Sequence, residues 1–423
     1  MQRVLQPAFS FPVQDEPRRS APSFAPSRPL LEFGADLVIQ HRVCHAGAVS
    51  RSFITSEMAG KTGAVLSVGI DEVASFRALS TGLHDRLDPR ARARAAWGGL
   101  QDSAPRSALL ALHARVHSIT PRAWEDPSFV QLWLRKAAYL VPRADRAVFT
   151  LGALPRDPDA AAALQHLADQ VVSACGGNAM SYRELAAAAP ELSGRLDVRL
   201  TSATGKVALR WDASRIRVIP TSPPEMDEEE ARRELARRFL SWLGPSSVRQ
   251  FSRWSGISQA DAAQTWRALE PEIAVIAGPS GKGAVLASSL DLLLSSERVS
   301  GARLLAPGDP YLYAHAGLPP TAAPSGLADA QRRSGLPTRA VNALVGRVLL
   351  HGAVVGAWSR RGASVTIAPW RHLTDGENDL VSREAQLLTG PLGQPVTVTW
   401  LPLAAPSSMA SRNPTASHPE EAV

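Results

Sequence analysis

Gln101, Asp102 and Ser103 stand between paired glycines and a helix start, in the run WGGLQDSAP at residues 97–105. A carboxamide and a hydroxyl this close together can orient a water, and a carboxylate can take a proton from one. The same residues have a plainer use. An Asp or Ser ahead of Ala104-Pro105 is a helix N-cap, with proline in the first turn. A cap makes no demand on Gln101. Adjacent side chains diverge in helix and strand alike, so Asp102 shares the direction of Gln101 only if the backbone turns.

Other clusters offer the same choice between chemistry and structure. His113 and His117 sit four apart on an expected helix, a metal spacing that lacks a third ligand and any HExxH, so neither metal nor cofactor is expected. GPSGKG at 278–283 lacks the GxxxxGK[ST] spacing and reads as a hairpin tip, where Lys282 can still meet a phosphate. Arg195, Arg199, Lys206, Arg210, Arg215 and Arg217 crowd one stretch around Trp211, and Arg249, Arg253 and Arg267 decorate the next. They are candidate phosphate contacts, or else a solvated face paired with nearby acids. Asp227–Glu230 reads as an acidic helix start, favoured by the helix dipole.

The elements that must position these groups repeat one pattern. At 228–290, EEEARRELARRFLSWLG places Leu235, Phe239, Leu240 and Leu243 on one face and stops at Gly244-Pro245. Ser247 then caps VRQFSRWSG, Ser258 starts QADAAQTWRALEPEI, and two β-prone runs follow, EIAVIAG and GAVLAS. Helix, turn, helix and hairpin make a winged helix. The pattern recurs at 178–220 and, less regularly, from Val73 to Gly152. Beyond 302 the chain turns β-rich: GRVLLHGAVVGAW reads strand–turn–strand, SVTIAPW and QPVTVTWLPL as further strands, with a helix near Ser382–Leu388.

The expected architecture is mainly α with β: tandem winged-helix domains followed by a small antiparallel β-barrel-like domain. Its parts are a disordered N-terminal extension (1–70), winged helices at 71–152, 153–222 and 223–300, the β-barrel-like domain at 301–403 and a disordered tail at 404–423. The biological start is expected near Met58 or Val68.

A chain of 423 residues with 20% charged and 45% hydrophobic residues is ordinary for a soluble protein of several domains. Two cysteines, Cys44 and Cys175, rule out a disulfide scaffold and read as free thiols. No apolar run reaches membrane-span length, and the N-terminus lacks a secretory pattern, so no membrane partner and a cytoplasmic, nucleoid-associated location are expected. A net charge of +7 points to polyanions, nucleic acid first among them.

Five blocks in order carry a family resemblance. GGLQDSAP is similar to a GLQ-x-Q block, LWLRKAAYLVPRAD to W-x-x-R-G-T-L-H-L-V, and RRFLSWLGPSSVRQFSRWSGIS to R-Y-L-x-x-x-G-P…F-x-x-W-S-G. ARLLAPGDPYLYAH is similar to L-L-P-x-F-D-P-Y-L, and GRVLLHGAVVGAW to G-x-V-L-V-D-G-x-V-V-G-x-W. Over about residues 72–403 the chain thus resembles the bacterial winged-helix proteins that include the AlkZ and YcaQ DNA glycosylases. The resemblance implies three winged helices and a β-barrel around a DNA-binding cleft, and release of alkylated or crosslinked bases by breaking the N-glycosidic bond.

Gln101 fills the first position of the family's polar pair, but Ser103 stands at the second, with Asp102 between them. The histidine of R-G-T-L-H is Tyr139 here, a stacking or hydrogen-bonding group that cannot titrate near neutral pH. Asp309 survives, either facing the cleft or making a turn before Pro310. Three readings stay open: a glycosylase acting on double-stranded DNA as a monomer, a DNA-binding protein with a degenerate catalytic pair, and a module for protein contacts.

Overall fold

The computed structural model describes residues 65–102, 104, 106–192, 196–212, 215–295, 297–314 and 345–403. The expected extension up to residue 64, the tail from 404, Ser103 and Arg195 lie outside the described residues.

The first part runs α1 (Ile70–Ser80), α2 (Arg92–Ala95), β1 (Leu100–Gln101), α3 (Ser107–Arg115), β2 (Phe129–Leu134), β3 (Ala137–Pro142) and α4 (Arg146–Thr150). Next come α5 (Pro158–Cys175), β4 (Met180–Ser181), α6 (Tyr182–Ala188), β5 (Val207–Trp211) and β6 (Ile216–Pro220). The hairpins β2–β3 and β5–β6 do not stand apart. Gln131 of β2 pairs with Leu209 of β5, and six strands make one antiparallel sheet in the order β1-β3-β2-β5-β6-β4. β1 is a two-residue edge strand, in register Leu100↔Leu140 and Gln101↔Tyr139.

Then follow α7 (Glu228–Leu243), α8 (Val248–Ser255), α9 (Gln259–Ala268) and the separate hairpin β7 (Ile273–Gly278) and β8 (Gly281–Leu286). Local chemistry sets their ends. The Asp227 carboxylate accepts the N–H of Glu230 at 2.8 Å, and Glu–Arg pairs three and four residues apart run along α7, with the Arg232 and Arg238 side chains buried. Ser247 and Gln250 cap α8 reciprocally, and Gly256 at φ 82° ends it. The buried face of α7 carries Leu235, Phe239, Leu240 and Leu243, in one core with Leu132, Phe251 and Trp358. Burying each such side chain contributes about 1.5–3 kcal/mol. Helix α9 ends at Ala268, short of the expected span, because Glu270-Pro271-Glu272 tightens into a 3-10 turn before β7. GPSGKG is the β7–β8 tip, with Gly278 opposite Gly281.

The last part holds α10 (Leu290–Ser295), β9 (Ala302–Leu305), β10 (Gly346–Leu350), β11 (Ala353–Arg361), β12 (Ser364–Pro369), α11 (Asp375–Gln386), α12 (Thr389–Leu392) and β13 (Thr397–Trp400). This corrects the β-barrel-like expectation. Among the described residues the strands form an open five-stranded sheet, ordered β13-β12-β11-β10-β9, with β13 and β9 at its edges. It is not wholly antiparallel either: β13 runs parallel to β12, Ser364↔Thr397 through Ile367↔Trp400. The cause is the helical crossover α11–α12, which returns the chain to the end from which β12 began. No helix among the described residues is long and apolar enough to cross a membrane.

Candidate active site

Gln101 is positioned by what packs behind its strand. A Cβ on Gly98 would lie 2.4 Å from the Trp242 ring of α7, so only glycine lets the strand approach that helix. Alternation along β1 then sends Leu100 and Asp102 inward, and both are buried. Gln101 faces the other way, where its Oε1 accepts the Tyr139 O–H at 3.2 Å. On its far side the chain passes through Gly308 at φ 74°, where a Cβ would sit 2.7 Å from the Gln101 Cδ and Oε1. Tyr139 and Gly308 together fix the carboxamide.

Asp102 is 1% exposed and serves the interior. Its Oδ1 accepts the Ala108 N–H at 3.1 Å, near the start of α3, and its Oδ2 accepts a hydrogen bond from Gln131 Nε2 at 2.8 Å. Gln131 in turn accepts the Trp211 N–H at 2.7 Å, tying α3 to β2 and β5. The cap is thus real but six residues long: α3 begins at Ser107 instead of at Pro105, behind Arg106 at φ 65°. Burial pushes the Asp102 carboxyl up to about 6, against the Ala108 N–H, Arg106 and Gln131, which hold it down.

A pH dependence follows. The folded chain keeps the Asp102 proton to about pH 6, whereas the unfolded chain releases it near pH 4, so stability declines as pH rises through that window. The difference is about 3 kcal/mol at one pKa unit per 1.36 kcal/mol. Urea unfolding at pH 4.5, 5.5 and 6.5 should show this decline, and Asp102→Asn should flatten it.

The wall beside Gln101 is basic and aromatic. Arg135 lies with its guanidinium 3.6 Å from the Trp254 ring centre and 4.7 Å from that of Tyr139. It hydrogen-bonds Tyr139, and its Nη2 donates to the Gly98 carbonyl at 3.5 Å. Burial lowers its pKa, with Tyr139 opposing the shift. Arg135 and Lys136 are the two residues of the β2–β3 turn, at φ 49° and 65°, a left-handed pair that costs L-residues roughly 1 kcal/mol or more each. Tyr313 is 40% exposed, donates to the Gln250 carbonyl at 3.4 Å, and feels Arg253 and Arg135 electrostatically.

Asp309 lies behind this wall. Both its oxygens bond Arg115 of α3, at 2.6 and 2.7 Å, with both side chains fully buried, and Oδ1 also accepts the Tyr311 N–H. It anchors the loop that carries Gly308, and its carboxylate does not reach the surface.

The expected phosphate contacts divide. Arg199 lies over Trp133 and donates to the Tyr182 hydroxyl, Lys206 pairs with Asp169, and Arg210 pairs with Glu125 while lying 4.1 Å from the Trp124 ring centre. Arg215, Arg217, Arg249, Arg253, Arg267 and Lys282 are exposed and make no ion pair among the described residues. His113 is buried, its pKa lowered to about 3 by burial and then by Arg86 and Arg303, while His117 is exposed. The described residues hold no group of three or more metal-ligating side chains.

Sequence reasoning passed over Arg135, Trp254 and Tyr313. All three lie inside the quoted blocks, but nothing local says that a turn of one hairpin reaches the end of α8.

A family model for the AlkZ-like DNA glycosylases matches residues 95–390. The chain belongs to the AlkZ-like DNA glycosylase family. The DNA glycosylase AlkZ of Streptomyces sahachiroi superposes with a TM-score of 0.63 at 18% identity, covering 79% of this chain and 100% of that one. No curated protein matches. At that identity the likeness is one of fold, and within it this AlkZ-like chain keeps Gln101 on an edge strand, sets it beside Arg135 and turns its neighbouring carboxylate inward.

Proposed function

We propose that this protein is a DNA glycosylase that binds double-stranded DNA and hydrolyses the N-glycosidic bond of an alkylated or crosslinked base. The observation that carries the reading is Gln101, fixed by Tyr139 and Gly308 at the edge of the sheet in a chain of this family. In the reaction water adds to C1′, the bond from C1′ to the base nitrogen breaks with its electron pair going to the base, and the proton of the water passes to solvent where a cationic base leaves neutral, or to the base where a neutral one leaves as an anion. Gln101 holds the water or steadies the sugar as positive charge develops. Asp102, buried and bonded to Ala108 and Gln131, has the role of holding the strand that carries Gln101. The test is base release from a duplex with one alkylated base, compared between the protein and Gln101→Ala.

The units α7–α8–α9 with β7–β8, and α6 with β5–β6, are read as winged helices whose exposed cations meet phosphates. Arg215, Arg217, Arg249, Arg253, Arg267 and Lys282 are the candidates. If each met one phosphate, the slope of log affinity against log salt would be about −5. Joint replacement of Arg249, Arg253 and Arg267 by Gln is expected to flatten it by about 2.7. A slope that the triple variant leaves unchanged would remove α8 and α9 from the interface.

A second reading, DNA binding without catalysis, draws on the inward turn of Asp102, which leaves the cleft without that carboxylate. The same release assay separates the two.

A further inference from the structure

We infer that Tyr139 is a positioning residue for base release: it sets which way round the Gln101 carboxamide is held, through a hydrogen-bond relay that begins at Arg135. This rests on the glycosylase reading above and deepens it.

The register of the edge strand brings the two side chains together. Gln101 of β1 lies directly opposite Tyr139 of β3, and cross-strand partners project from the same face of a sheet. The phenol oxygen stands 3.2 Å from the Gln101 Oε1. Such a contact alone does not choose a direction. A phenol both donates and accepts, and a carboxamide can offer its oxygen or its NH2 after a half-turn. Arg135 removes the choice. A guanidinium only donates, so in its bond to Tyr139 the phenol oxygen accepts, and the phenol hydrogen is left to find an acceptor. Gln101 Oε1 is that acceptor. A flipped carboxamide would meet the phenol with a second donor and strand a buried O–H. The relay closes on the strand it serves: Arg135 also donates to the Gly98 carbonyl, just ahead of Gln101, and lies against Trp254. Each bond in such a chain polarises the next. On the other side Gly308 narrows the slot, since a Cβ there would sit 2.7 Å from Cδ and Oε1 and 3.2 Å from Nε2.

A single polar contact helps a transition state only if it is already aimed when charge develops. Gln101 held one way round keeps the same end toward the reacting atoms at every turnover. Without the phenol hydrogen its two orientations draw closer in energy, and a fraction of the molecules present the wrong end. That loss falls on bond cleavage and not on DNA affinity, because Tyr139 is only 8% exposed and acts through Gln101.

The experiment is a double-mutant cycle on the full chain, with Tyr139→Phe, Gln101→Ala and the two combined. Single-turnover release from a duplex with one alkylated base, corrected for spontaneous loss, is measured beside duplex affinity and urea unfolding. Phenylalanine keeps the ring against Arg135 and removes only the hydroxyl. Tyr139→Phe is expected to lower release about 10-fold, the scale of one hydrogen bond, with affinity held within about threefold. In the Gln101→Ala background the same change is expected to alter release by no more than about twofold, because the group that it positions is gone. Gly308→Ala, which crowds the carboxamide from the other side, should behave alike and supplies the cycle if Tyr139→Phe does not fold. Release by folded Tyr139→Phe at the intact rate, or a loss no larger than its loss of affinity, would overturn the inference. So would equal losses with and without Gln101, which would put the phenol in direct contact with the substrate. Release of no base by the intact protein would instead remove the glycosylase reading on which it stands.

Discussion

Gln101→Ala is expected to cut base release about 100-fold, the scale of losing one preorganised polar contact to the transition state. Affinity for the same duplex should stay within threefold, because the exposed cations lie on other elements. Alanine keeps the extended backbone of β1, and its pairing with Tyr139 uses main-chain groups, so the edge strand survives. What is lost is the carboxamide, and with it the acceptor of the Tyr139 O–H. Single-turnover release and duplex titration on one preparation separate chemistry from binding. Release that survives Gln101→Ala but fails in a folded Asp102→Asn would move the chemistry one residue along the chain.

Where the sequence was legible, the signals were local. Asp227, Ser247 and Ser258 cap α7, α8 and α9, Gly256 ends α8, and two-residue periodicity marks β10 and β11. Long-range events were invisible. One residue pair, Gln131↔Leu209, joins two hairpins that look like separate units into a single sheet. The parallel pairing of β12 with β13 depends on a helical crossover, and it replaces the barrel suggested by a run of alternating strands. Helix α5 was passed over although Asp157-Pro158 starts it and Gly176 stops it; its alanine-rich sequence buries only Leu167, Ala168, Val171 and Cys175. At the site, Gln101 and Tyr139 stood out through the family blocks and do meet, 3.2 Å apart. Asp102 was ambiguous for a physical reason: the N–H that it satisfies belongs to Ala108, beyond the reach of an ordinary cap. Arg135 became a site residue only when Trp254, far along the chain, closed over it.

Arg115→Met is expected to destabilise the protein by about 3–5 kcal/mol, the range for removing one partner of a buried ion pair. Arg115 and Asp309 are both fully buried and bonded through two oxygens, and Arg115 also donates to the Ala111 carbonyl of its own helix. Methionine matches the stem but leaves Asp309 without a counter-charge. The double variant Arg115→Met with Asp309→Leu should therefore be more stable than Arg115→Met alone, since it removes the stranded carboxylate along with its partner. Denaturant unfolding of Arg115→Met, Asp309→Leu, the double variant and the intact chain measures this coupling, and additive losses would mean that the pair contributes no joint term. The consequence reaches the site because Gly308, against which the Gln101 carboxamide rests, is the residue before Asp309. A loop freed from α3 lets Gly308 move and Gln101 lose its position. Base release should accordingly fall in Arg115→Met and in the double variant at temperatures where they remain folded, even though neither substitution touches the cleft.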